Sequence, residues 1–152
     1  MPNQCYNGGY GYNGFLYSGS VPASTAGYPP ATTIARSFGK ESSIQPPTTT
    51  PVFGDAFWED AWPVETDTSA PNLSIGSGSS VWSVYGMQRM TIPRHGNRPN
   101  SVPGTFPATS LMPGATDMVF VDGQAGTVPL EQLWQQTWYK NWVVPAKRPR
   151  LP

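Results

Sequence analysis

Three carboxylates in the segment from Pro51 to Pro63 are the residues best placed to do chemistry. Asp55, Glu59 and Asp60 fall within six positions, among large aromatic side chains. Grouped carboxylates can bind a hard cation such as calcium, although the spacing lacks the Asp-x-Asp-x-Asp-Gly pattern of a calcium loop. Paired carboxylates also serve glycoside hydrolysis as acid and base or nucleophile. We favour capping and surface hydrogen bonding, with a calcium site as the first alternative and catalysis behind it.

The chain has one histidine, His95, which follows Arg94 and precedes Gly96. A zinc site at His95 would need all its other ligands from oxygen groups, and no Gly-x-Ser-x-Gly elbow accompanies it. The single Cys5 excludes an internal disulfide and a cysteine-based metal site. We therefore expect Arg94 and His95 to make structural hydrogen bonds at the end of a strand, and we predict a protein that is not an enzyme.

Composition narrows the class of protein. The 152 residues include 18 Pro and 16 Gly, and only 12% are charged, which indicates a loop-rich chain. Nine basic and nine acidic residues balance. The only concentrated positive charge is Lys147, Arg148 and Arg150, in a basic Pro-rich tail over residues 143–152, and we expect this tail to be solvated. Nucleic-acid binding needs clustered cations and is not expected. No segment approaches the roughly 20 apolar residues of a membrane helix, and no signal peptide is visible.

One stretch carries both a hairpin signal and a helix signal. Met118 to Val121 is β-prone, Asp122-Gly123 suits a tight turn, and a return strand should reach Val128. After the hairpin, large apolar residues recur at helical spacing. They predict an amphipathic helix packed on the sheet through Leu130, Leu133, Trp134, Trp138 and Trp142.

The other elements are weaker. The Gly- and Tyr-rich stretch from Asn7 to Tyr17 reads as an edge strand, with an aromatic carbohydrate platform as the alternative. Val52 and Phe53 suit a short strand, residues 18–50 read as a long surface loop, and Val81 to Pro93 suits a strand beside the hairpin. The predicted fold is α+β: one loop-rich globular head over residues 1–152, with a small antiparallel β-sheet, a C-terminal amphipathic helix and long Pro/Gly-rich loops.

Several blocks resemble the prepilin-like proteins of planctomycetes and verrucomicrobia, which carry a type IV prepilin signal and a C-terminal histidine-to-Asp-Gly processing-associated motif. The matching blocks are Tyr10-Gly11-Tyr12-Asn13-Gly14-Phe15-Leu16, Thr50 to Ala56 with Trp58, Asp60 and Trp62-Pro63, Arg94-His95-Gly96-Asn97, Pro113-Gly114-Ala115, and Met118 to Gly123 followed by Val128, Leu130, Leu133, Trp134, Trp138 and Trp142. They span about Asn7 to Pro149, while the loops between them match nothing familiar. The motif residues are Arg94, His95, Gly96, Asp122 and Gly123.

The resemblance implies a structural, non-catalytic head of a type II secretion pseudopilin or type IV pilin-like protein. Such a head acts by assembly into a filament with other pilin-like subunits, or by surface presentation, at an extracellular, cell-surface or periplasmic location. Two departures from the family stand out. Gln124 and Ala125 replace the His-Val that usually follows Asp-Gly, and the apolar N-terminal stem helix is absent. We therefore expect a fragment, a truncated reading frame or a head without its own stem, which makes no membrane contact itself.

The alternative class is a secreted or cell-surface binding module for polysaccharide or calcium. It would use the Tyr-rich N-terminus or the carboxylates from Asp55 to Asp60. Neither alternative implies a bound cofactor other than calcium.

Overall fold

A computed structural model describes residues 9–17, 35–76 and 86–152. Its regular structure is mainly a small sheet, accompanied by short 3₁₀ helices. The strands are β1 (Gly9–Asn13), β2 (Pro51–Ala56), β3 (Asp60–Ala61), β4 (Ala115–Phe120) and β5 (Ala125–Pro129). The 3₁₀ helices are Gly14–Leu16, Glu41–Ser43, Pro47–Thr49, Met87–Arg89 and Leu130–Gln135.

The five strands form one open sheet in the order β3-β1-β2-β4-β5. β1 and β2, β2 and β4, and β4 and β5 are antiparallel, but β1 and β3 are parallel. The predicted antiparallel sheet is therefore mixed. The cause is local: after β2 the chain turns through Phe57 to Glu59, and the two residues of β3 then run alongside β1 on its free side.

The C-terminal hairpin is confirmed. β4 and β5 pair from Ala115 opposite Pro129 to Val119 opposite Ala125. Gly123 has a φ of 89°, a left-handed value that glycine adopts without strain. The Asp122 carboxylate accepts a hydrogen bond from the Gln124 N–H at 3.1 Å, which fixes the turn.

The amphipathic helix predicted after the hairpin is not confirmed. The chain forms a 3₁₀ helix over Leu130–Gln135 and becomes extended at Gln136. Tertiary hydrogen bonds then replace helical ones, since the Thr137 N–H donates to the Thr49 carbonyl at 2.7 Å. Two indole N–H groups donate to helix carbonyls: Trp138 Nε1 to Leu133 at 2.8 Å and Trp142 Nε1 to Trp134 at 3.3 Å.

The apolar residues of this segment are nevertheless all buried. Leu130, Leu133, Trp134 and Trp138 have no exposed surface and Trp142 is also inside, where they join aromatic and methionine side chains from the described ranges 9–17, 35–76 and 86–152. Large aromatic rings bury much apolar area per residue. A few of them therefore form a core beneath a sheet whose connecting segments are mostly irregular.

The strand predicted over Val81 to Pro93 is wrong where the structure describes it. Met87–Arg89 is a 3₁₀ helix, and Met87, Arg89, Met90 and Ile92 are all buried, so no alternation of inner and outer residues exists. Val81 to Tyr85 lie outside the described residues. The segment still reaches the hairpin, because His95 forms an isolated antiparallel bridge with Ala115.

Strand β1 is tied to the C-terminal segment by one buried amide. Nδ2 of Asn13 donates to the carbonyls of Pro51 and Trp138, each at 3.0 Å, and its Oδ1 accepts from the Phe15 N–H. Asn13 is therefore fully used in holding three parts of the chain together. Of the predicted loop over residues 18–50, only 35–50 is described, and it contains the 3₁₀ helices Glu41–Ser43 and Pro47–Thr49.

Candidate functional site

Asp55 lies where the ladder between β2 and β4 ends. The strands pair as far as Gly54 opposite Met118. One residue later, Oδ2 of Asp55 accepts a hydrogen bond from the Asp117 N–H at 2.9 Å, and the Asp55 side chain is only 4% exposed. A side chain thus replaces the carbonyl that would otherwise continue the ladder, which keeps a backbone donor paired.

The segment at Arg94 and His95 lies beside the part of β4 that β2 does not pair with. The backbone N–H and carbonyl of His95 both bond to Ala115, at 2.9 Å each, so His95 takes the place of a strand beside β4. Nε2 of His95 lies 3.1 Å from Oδ2 of Asp55 and 3.4 Å from Oδ2 of Asp117, while Nε of Arg94 lies 3.9 Å from Oδ1 of Asp55. The buried carboxylate is therefore met by a backbone donor and two basic side chains.

Two glycines within the blocks that carry the sequence resemblance have backbone roles. Gly96 has a φ of 64°, and a Cβ on it would lie 3.1 Å from the Cβ of Ala115. Gly123 occupies the hairpin turn. Together with the hydrogen bonds of Asp55 and His95, these positions hold two backbone segments together.

The structure does not bring Asp55, Glu59 and Asp60 together as a metal site. Glu59 is exposed, and Oδ1 of the buried Asp60 lies 2.6 Å from NH1 of Arg89. Burial raises the pKa of Asp60, and the adjacent Arg89 charge opposes that effect. Within residues 9–17, 35–76 and 86–152, no three His, Cys, Asp or Glu side chains form a group that could hold a metal ion. The calcium site stays a prediction without such a group to support it.

The sheet has an inner face and an outer face, which its registers define. Side chains alternate between the faces of a strand, and those on the inner face, such as Asn13, Met118 and Val128, are buried. We call the opposite surface the outer face. Its side chains are Tyr10, Tyr12, Phe53, Asp55, Asp117, Val119, Ala125 and Thr127, assigned from the pairs between neighbouring strands.

Aromatic and polar side chains are neighbours on the outer face. Tyr10 is 70% exposed and Phe53 40%, and their rings meet edge to face with centroids 6.5 Å apart. Tyr12 stacks on Tyr17 with centroids 5.0 Å apart. Beyond Phe53 lies the Asp117 carboxylate, whose side chain is 48% exposed and whose Oδ1 accepts from the Thr127 hydroxyl at 2.6 Å.

Asp117 and Thr127 were not predicted from the sequence as members of this surface. A signal was present, because the two residues stand five positions on either side of Asp122 in the predicted hairpin and must therefore face each other. No sequence signal indicated that Asp55 and His95 lie close together. Their proximity arises because β2 and residues 94–96 lie one after the other along the same edge of β4.

Arg148 is the clearest departure from the predicted solvated tail. It is 2% exposed, and its Nε donates to Oε2 of Glu131 at 2.8 Å. The same guanidinium bonds to the carbonyls of Ala108 and Ser110, and Oε1 of Glu131 accepts from the Met112 N–H at 2.5 Å. Within the basic tail, Lys147 and Arg150 are exposed as predicted, but Arg148 anchors the tail to the 108–112 loop.

The described part of the chain contains no helix with the length and apolar character to cross a membrane. No family model, curated protein or solved structure matches the chain.

Proposed function

We propose that this chain is the structural, non-catalytic head of a pilin-like or pseudopilin-like protein, which acts by assembly or surface presentation in a system of the type II secretion or type IV pilus kind. Its partners would be other pilin-like subunits, outside the cytoplasm. The resemblance of the sequence blocks is the starting point of this proposal. Their arrangement in space supports it.

The carrying observation is that blocks far apart in sequence meet in one sheet. Tyr10 to Tyr12 pair with Phe53 to Asp55, Asp55 meets Arg94 and His95, and His95 bridges Ala115 at the start of the hairpin. Blocks that served unrelated purposes would have no reason to form one contiguous framework. An assembly module acts through the surface that it presents to its neighbours. Motif residues that bond to each other and to the backbone stabilise the fold that presents this surface.

The sheet also leaves a surface available for presentation. Its inner face is covered by the aromatic core, whereas the outer face exposes Tyr10, Phe53 and Thr127. In this proposal the family's stem helix would provide polymerisation, and the 152 residues would contribute the head.

Incorporation into a filament tests the proposal. The chain would be fused behind the stem helix of a pilin in a cell that assembles type IV pili, with the same chain exported without a stem as the matched control. We expect the fused head in the sheared filament fraction and the unfused head in the soluble fraction. A correctly exported fusion that never enters filaments, or an unfused head that forms regular filaments alone, would contradict the proposal.

A further inference from the structure

The outer face combines exposed aromatic rings with an oriented hydrogen-bond acceptor. Tyr10 and Phe53 are diagonal neighbours across β1 and β2, since Tyr10 lies opposite Asp55 and Phe53 is two residues earlier. Phe53 lies opposite Val119, which places Asp117 on its other diagonal. Diagonal neighbours in a sheet are about 7–8 Å apart. Tyr10, Phe53 and Asp117 are therefore neighbours along one diagonal of the outer face.

From this juxtaposition we propose that the outer face binds a neutral polysaccharide, with Tyr10 and Phe53 contacting the apolar faces of sugar rings and Asp117 accepting hydrogen bonds from sugar hydroxyls. Assembly into filaments does not require this activity, so the inference goes beyond the proposed function and does not depend on it.

The aromatic pair is suited to sugar rings because it is exposed and preorganised. The two rings are in edge-to-face contact, with centroids 6.5 Å apart. Rigid aromatic side chains supply a large contact area at a low cost in conformational entropy. The backbone beneath them is also fixed, since β1 and β2 pair over their whole shared length from Gly9 to Tyr12.

The acceptor is oriented as well. The Thr127 hydroxyl holds Oδ1 of Asp117 at 2.6 Å, and Nε2 of His95 lies 3.4 Å from Oδ2. An ionised carboxylate has about four lone-pair sites, so these contacts leave capacity for hydroxyl donors. Hydrogen bonds to an ionised acceptor are stronger than neutral ones.

The charges around this acceptor favour a neutral ligand. Nε of Arg94 lies 3.9 Å from Oδ1 of Asp55, so the guanidinium charge offsets the charge of that buried carboxylate. A proline-rich peptide is the competing occupant, since such peptides dock on aromatic surfaces. Its proline residues carry no N–H to donate to the Asp117 carboxylate next to Phe53, however, whereas sugar hydroxyls do donate.

Sedimentation with insoluble polysaccharides tests this inference on the full chain. The probes would be microcrystalline cellulose, chitin and granular starch, followed by calorimetric titration with the soluble hexasaccharide of whichever probe retains the protein. We expect at least one probe to retain the protein. We expect Tyr10→Ala and Phe53→Ala each to weaken binding by about threefold to tenfold, from the usual worth of aromatic contacts.

Matched controls separate the outer face from nonspecific adhesion and from misfolding. Leu111→Ala removes an apolar side chain that is 71% exposed elsewhere, and Asp122→Asn neutralises an exposed carboxylate in the hairpin turn. Both should bind as the unmodified chain does, whereas Asp117→Asn should bind more weakly with an unchanged melting temperature. The inference would be overturned if no probe retains the chain, if binding survives both aromatic substitutions, or if decaproline binds with the same dependence on Tyr10 and Phe53.

Discussion

Nε2 of His95 lies 3.1 Å from Oδ2 of Asp55, and the same carboxylate oxygen accepts a hydrogen bond from the Asp117 N–H at 2.9 Å. One buried side chain thus joins strand β2, strand β4 and the segment that replaces β2 beside β4. Residues whose types suggest chemistry in the sequence therefore have a structural role in the sheet. We call the contacts of Asp55 with His95 and Asp117 the clasp. It also links the middle block of the family resemblance to its histidine block.

Replacing Asp55 should weaken the fold. Asp55→Ala leaves the Asp117 N–H without its acceptor and His95 without its buried partner, and we expect a loss of about 1–3 kcal/mol in the free energy of unfolding. Urea denaturation monitored by tryptophan fluorescence measures it. Asp122→Asn is the matched control, since its carboxylate is exposed in the turn, asparagine keeps the Oδ1 acceptor for the Gln124 N–H, and the change should cost at most about 0.5 kcal/mol. Equal losses in the two variants would contradict the clasp.

Two glycines of strand β1 should respond oppositely to one added methyl group. A Cβ on Gly11 would lie 2.6 Å from both the Ala56 Cβ and the Trp58 carbonyl oxygen, whereas a Cβ on Gly9 meets nothing within 4 Å. We expect Gly11→Ala to destabilise the protein by about 1–3 kcal/mol through overpacking. Gly9→Ala should be neutral or slightly stabilising. Thermal unfolding of both variants checks this, and a stable Gly11→Ala protein would show that β1 does not approach Trp58 as described.

Local sequence signals predicted the hairpin correctly, but contacts between residues far apart in the sequence were not predicted. Asp122-Gly123 between β-prone runs dictates its own turn and register, so β4 and β5 follow from residues within reach of each other. The α-helix predicted beyond Leu130 is not confirmed, because the same spacing of apolar residues also suits a 3₁₀ helix followed by extended chain. There the indole N–H groups of Trp138 and Trp142 donate to carbonyls of the 3₁₀ helix. Tertiary hydrogen bonds overrode the pattern there.

The candidate surface shows the same division. Exposed tyrosine in a glycine-rich strand was visible in the sequence, and so was the carboxylate at Asp55. Which carboxylate faces solvent was not, because Asp55 is buried by Arg94 and His95 while Asp117 remains half exposed. Pairings across many intervening residues decide this, and a single sequence holds no local signal for them.

Arg148 should contribute much more to stability than its neighbour Lys147. Arg148→Met leaves Glu131 and the carbonyls of Ala108 and Ser110 without their donor, and we expect a loss of about 3 kcal/mol, at the lower end for a broken buried pair because Glu131 is partly exposed. Lys147→Met is the matched control, since Lys147 is exposed. Chemical denaturation compares them. If both variants unfold at the same denaturant concentration, Arg148 does not anchor the tail.

Asp67 should make stability depend on pH in a defined direction. Burial raises the pKa of Asp67 above its ordinary value of 3.8, against the opposing hydrogen bonds from the Met87 and Val64 N–H groups. A raised pKa means that the folded state binds the proton more tightly, so this contribution is complete below pH 3.8 and is lost as pH rises through the folded pKa. In Asp67→Asn, which cannot ionise, this loss of unfolding free energy with rising pH should disappear.

The test is the difference in unfolding free energy between Asp67→Asn and the unmodified chain, measured at pH 4 and at pH 6.5. We expect the difference to shift in favour of the asparagine variant at the higher pH. A shift in favour of the aspartate would mean that the hydrogen bonds from Val64 and Met87 outweigh burial and that the pKa is lowered instead.

The central claim is that the framework around Asp55, His95 and the hairpin belongs to a pilin-like head. Immunogold electron microscopy of cells that produce this chain, with antibodies raised against the purified 152 residues, tests it most directly. The account predicts label along surface or periplasmic filaments, and loss of that label when the assembly ATPase of the secretion or pilus system is inactivated. Label confined to the cytoplasm, or unchanged by loss of the ATPase, would contradict it.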